Sequence, residues 1–137
     1  MAKMKLYEVR DWLETLGIAD KENYYIGIND DKQDKSIGVY DRSDKTPEKL
    51  PIGGREMKKD DTCKVSILLH WTDDARETID AADALVEKIQ EVERGGFYIG
   101  EHIVDYIEFA AGGAVDIITD KNGIYERVLP LDIHYSI

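Results

Sequence analysis

A single cysteine, Cys63, leaves this 137-residue chain unable to form an internal disulfide, and three histidines make it poor in zinc-cluster ligands. Cys63 falls on the apolar side of a predicted strand. There it reads as a small buried hydrophobe, in keeping with a reducing cytoplasm. Basic residues are also scarce: 18 Lys and Arg face 29 Asp and Glu, giving a net charge of −11 with no basic run. Nucleic-acid backbones are gripped by lysine and arginine, so sequence-independent DNA binding is not expected. No stretch approaches the roughly 20 apolar residues of a membrane span. The opening M-A-K-M-K-L-Y-E-V-R has neither the apolar segment nor the cleavage site of a signal peptide, and none is expected.

What is present is 42% hydrophobic and 34% charged, a globular balance, at a length that suits one domain over residues 1–137. The organising stretch runs from Cys63 to Arg94. Cys63, Val65, Ile67, Leu69 and Trp71 alternate with Lys64, Ser66 and His70, the period of a strand with one buried face. Thr72, Asp73 and Asp74 are candidate N-caps, and Glu77 stands three after Asp74 as in a capping box. Apolar residues then take helical spacing at Ala75, Ile79, Ala82, Leu85, Val86, Ile89 and Val92, until Gly95-Gly96 ends the helix. Half a turn away, Asp73, Glu77, Asp80, Glu87 and Glu91 form an acidic line. Such like-charged neighbours repel by a few tenths of a kcal/mol per pair, roughly.

An earlier helix is predicted from about Met4 to Leu16, through Leu6, Val9, Leu13 and Leu16, with Gly17 as its stop and Trp12 at the edge of the stripe. Tyr24, Ile26 and Ile28 alternate as a strand, and S-I-G-V-Y-D is a second. The polar loop between them predicts an antiparallel hairpin. Residues 42–61, with Pro47, Pro51, Gly53 and Gly54, read as a long surface loop with a few extended residues around Ile52; such loops are usually functional or ordered by a partner. After the central helix come a strand through Ile103, Ile107 and Phe109, then a hairpin marked by Asn122-Gly123. In the last strand Leu129, Leu131, Ile133 and Tyr135 share a face, while Pro130 predicts a sheet edge or a bulge. The sum is an α+β domain: a mostly antiparallel sheet of about five strands with two main helices on one face.

Motifs of chemistry are weak. His70, His102 and His134 each stand without a second ligand at metal-binding spacing and read as surface or edge residues. A calcium loop over Asp30–Asp41 fails because Lys32, Lys35 and Asp41 occupy its third, sixth and twelfth positions. I-G-G-R-E lacks the lysine and spacing of a phosphate loop, and no G-x-S-x-G appears. No catalytic residue, cofactor or metal is assigned. Tyrosine says more: Tyr25, Tyr40 and Tyr106 lie on strands whose second face is not cleanly polar, and this residue is enriched at interfaces. Core packing explains them equally well.

I-G-V-Y-D-R, the I-G-G after a proline-bearing loop, V-S-I-L-L-H-W-T before an acidic helix, and T-D-K-N-G-I-Y-E-R-V-L-P-L-D-I together resemble the minor capsid proteins and tail terminators of long-tailed bacteriophages. The likeness spans Ile37 to the C-terminus. It implies a non-enzymatic virion protein, assembled in the bacterial cytoplasm, whose hexameric ring caps the tail tube and meets the head connector while DNA passes through unbound. The acidic line would then face the lumen or open solvent. Tyr25, Tyr40, Tyr106, Pro51, Ile52 and Arg55 are the candidate subunit contacts. Another head-completion or connector protein is the near alternative, and a small ligand-binding or hydrolytic domain the distant one.

Overall fold

Alternating side chains give the Cys63 stretch a core face and an outer face, and the sheet is built around it. The computed structural model describes residues 3–27, 34–42, 60–120 and 122–136, without the side chains of 115–118. Pro51, Ile52, Arg55, Ile28 and most of the 42–61 loop lie outside the described residues. In chain order the elements are α1 (Leu6–Glu14), a 3-10 turn (Lys21–Asn23), β1 (Tyr24–Ile26), β2 (Ser36–Asp41), β3 (Asp60–His70), α2 (Ala75–Arg94), β4 (Phe97–Ile99), β5 (His102–Phe109), β6 (Val115–Thr119) and β7 (Tyr125–Ser136).

The strands lie in the order β1-β2-β3-β7-β5-β4, and β6 pairs with β7 as well. The class is α+β as expected, with six strands in line in place of about five. β7 is the centre. One edge pairs with β3 from Asp60↔Ser136 to His70↔Glu126, and the other is shared between β5 and β6. Pro130 therefore sits in a central strand, not at an edge. Its carbonyl accepts from Ala110 N (3.2 Å), where β5 ends. N–H and C=O of one strand residue point the same way, so the donor that proline lacks would fall in the gap between β5 and β6.

The predicted β1–β2 hairpin is also corrected, because these strands pair in parallel, Tyr24↔Ile37 to Ile26↔Val39. A parallel pair ordinarily needs a longer crossover. Here β1 is three residues long, so residues 27–35 need return over only about 10 Å. The predicted alternation in β1 fails with it: Tyr24 is core, whereas Ile26 is 44% exposed.

Both helices pack one sheet face. Val9, Trp12 and Leu13 from the first and Leu16 just after it, with Ala82, Leu85 and Ile89 from the second, meet Ile37, Val39, Val65, Ile67, Leu69, Leu129, Leu131 and Ile133 in a single core. Each such aliphatic side chain contributes about 1.5–3 kcal/mol on burial. Trp12 stacks on Phe97 at 5.4 Å, a core role. Of the three candidate caps, Asp74 is the N-cap of α2, accepting from Arg76 N (2.9 Å) and Glu77 N (3.4 Å). Thr72 relays the rest of the box. Its hydroxyl accepts from Asp74 N and donates to Glu77 Oε2. Thr78 takes the core position expected of Ile79, since its hydroxyl donates to Asp74 O (3.0 Å) and needs no water.

Candidate functional site

Glu77, Asp80, Glu87 and Glu91 of the acidic line are exposed along α2, whereas Asp73, also exposed, stands before the N-cap and outside the helix. Glu91 meets Lys88 at 3.7 Å on the surface, a contact worth little. The tyrosines divide. Tyr106 is 49% exposed, whereas Tyr40 is half-buried and Tyr25 lays its ring over Gly38 with the hydroxyl buried. Burial, then the neighbouring Tyr40, pushes the Tyr25 phenol well above its ordinary range.

These tyrosines share the sheet face that no described helix covers. A register shift between Val104 and Tyr106 explains the strand whose two faces both read as apolar. Val104 and Ile107 are buried, and the extra residue between them turns Ile103 (51% exposed) and Tyr106 outward. Tyr98, directly opposite Ile103, is 63% exposed.

A polar grid lies beside this patch. On β7, His134 is paired with Tyr106 of β5 and Thr62 of β3, while Asp132 is paired with Glu108 and Lys64. The Tyr106 ring stacks on the imidazole at 4.2 Å. His134 Nδ1 lies 3.0 Å from Thr62 Oγ1, and Nε2 lies 3.2 Å from Glu108 Oε1. Arg42 holds Asp132 through Oδ1. One ligand atom from each of Glu108, Asp132 and His134 falls within 4.8 Å of the others.

The other two histidines are not surface residues. His70 and His102 are buried. His102 Nε2 approaches Glu8 Oε1 at 3.4 Å, and its ring meets Tyr135 edge-on at 4.9 Å. His70 Nδ1 bonds Glu126 Oε2 at 2.9 Å, with Asp120 Oδ2 at 3.8 Å. Ser36, His70 and Glu126 stand in one row across β2, β3 and β7, an order that resembles a nucleophile, base and acid. The row is buried, at 1%, 3% and 6% exposed. A cleft of about 290 Å³ beside Met4, Asp41, Arg42, Asp61 and Tyr135 contains Cys63. Burial first, then Asp41, Asp61 and Glu8, pushes that thiol up to about 11, which leaves it protonated and unreactive at neutral pH.

Sequence spacing misses the grid because its ligands come from two strands in register. Only Asp132, two before His134 and on the same strand face, could have flagged it. Neither a scan against protein-family models nor a search of the curated proteins finds a match to this chain. Among the described residues, no helix is long and apolar enough to cross a membrane.

Proposed function

We propose that this chain is a structural, non-enzymatic subunit of a bacteriophage head–tail junction, acting as a tail terminator that closes into a ring through contacts between copies. The observation that carries this reading is the sheet face that no helix among the described residues covers, with Tyr98, Ile103 and Tyr106 grouped in the open. Apolar surface gathered on one side of a sheet marks a contact with another protein, and a second copy is the occupant this reading assigns. The acidic line supports it from the opposite side, because an exposed row of carboxylates repels the phosphates of DNA passing nearby. The resemblance of the V-S-I-L-L-H-W-T and N-G-I-Y-E-R stretches to tail terminators gives the assembly its place in the virion.

The test is assembly. Native mass spectrometry of the purified chain, alone and mixed with tail tube subunits, should give a hexameric ring and tubes of limited length. Tubes that grow unchecked in its presence would remove the terminator role. Tyr98→Ser with Ile103→Ser should leave the monomer folded and abolish the ring.

A further inference from the structure

We propose that Glu108, Asp132 and His134 form a binding site for a late first-row divalent cation, with Zn²⁺ the best match. All three ligands come from one chain, so binding does not require the ring, although Tyr106, which stacks on His134, belongs to the proposed contact patch as well. The backbone register is the site's foundation. Glu108 and Asp132 are directly opposite on adjacent antiparallel strands, and His134 is two residues along from Asp132 on the same face. Two carboxylates facing each other across a ladder repel and destabilise the pair. A cation between them turns that repulsion into attraction. One atom from each group lies within 4.8 Å of the others, and a modest side-chain closure brings them to the roughly 3.3–3.6 Å separation of ligands held about 2.0–2.2 Å from one tetrahedral ion.

Outer contacts orient two of the three ligands. Nδ1 of His134 is taken up by Thr62 Oγ1, which leaves Nε2 as the nitrogen directed at Glu108. Arg42 engages Asp132 through Oδ1, which fixes the orientation of the carboxylate. Metal-bound histidines and carboxylates are characteristically held this way from behind. Stacking on Tyr106 fixes the imidazole plane as well. The positive charges of Arg42 and of Lys64, in register with Asp132, oppose a cation. The imidazole favours zinc, cobalt or nickel, with three protein ligands and a solvent molecule in the fourth position.

Equilibrium dialysis of the full chain against Zn²⁺, with Co²⁺ as the visible probe, tests the site. The expected result is one ion per chain, with cobalt absorption bands in the visible region. His134→Gln and Glu108→Gln should each weaken binding by tenfold or more. Thr62→Val should weaken it by about tenfold or more through loss of the outer contact. Far-ultraviolet circular dichroism and urea midpoints on the same samples separate ligand loss from unfolding, and half-exposed Glu108 is the variant least able to disturb the fold. Failure of the native chain to retain either ion at about 100 µM, or undiminished binding by a folded Glu108→Gln and His134→Gln double variant, would overturn the assignment.

Discussion

At position 63 a thiol sits on the core face of the sheet, with the carboxylates of Asp41, Asp61 and Glu8 nearby. Both surroundings disfavour the thiolate, and burial is the larger. The folded chain therefore holds this proton to about 11, whereas the unfolded thiol releases it near 9.0. Below that lower value the group does not alter stability with pH. As pH rises from 9 toward 11 only the unfolded chain ionises, so the stabilising effect of the protonated thiol is lost through that window. The slope is about 1.4 kcal/mol per pH unit for one proton. Cys63→Ala should flatten the pH dependence of the urea midpoint by about one proton between those values. Tyr24 and Tyr135, whose phenols burial also pushes up, retain their own dependence at higher pH in both proteins. In a companion measurement at pH 8, iodoacetamide should label Cys63 on the order of tenfold faster in urea than in the native chain. Equal rates would place the thiol in solvent.

One side-chain contact reinforces the pairing of β1 with β2. A Cβ at Gly38 would lie 2.5 Å from Tyr25 Cε2 and 2.7 Å from Cζ, so the aromatic ring occupies the space that any other residue would fill. Aromatic cover of a strand glycine stabilises a weak pair, and β1 is a three-residue edge strand. Gly38→Ala should then cost about 1–3 kcal/mol by overpacking. In a Tyr25→Ala background the same substitution should cost much less, and a double-mutant cycle on urea midpoints reads the difference. Additive effects would mean the ring moves aside freely. This contact bears on what sequence patterns can reveal. Alternation along Val65, Ile67 and Leu69, helical spacing through Ala82, Leu85 and Ile89, and the Asn122-Gly123 turn are local signals, and they place the central strand, the long helix and the last hairpin. Relations between strands are not local. The parallel sense of β1 and β2, the interior position of Pro130 and the meeting of His134 with Glu108 all follow from register, which no spacing along the chain encodes.

Across the whole molecule the charge is uneven as well as negative. Four of the acidic residues, Glu77, Asp80, Glu87 and Glu91, line one exposed side of α2, where their mutual repulsion works against the helix, and Asp73 stands just before its N-cap. Asp73 and Glu77 are offset by the helix N-terminus, which favours anions, whereas Glu91 lies near the C-terminal end that favours cations. Asp80→Lys, Glu87→Lys and Glu91→Lys together should leave the monomer as stable as the native chain or slightly more so, by urea denaturation. If stability alone set these positions, lysine would serve better; acidity also aids solubility, and the proposed ring adds a further demand. In the proposed ring that demand is the passage of DNA, from which carboxylates repel phosphates within a Debye length of about 8–10 Å. Converging stripes would multiply the effect of reversal, since each phosphate neutralised adds to the salt dependence of binding. Native assemblies should not retain duplex DNA. Assemblies of the triple variant should retain it, with a steeper dependence on salt per copy than the unassembled variant shows, as measured by fluorescence anisotropy. Equal slopes would put the line on the outer wall, with its carboxylates turned to solvent and away from the channel.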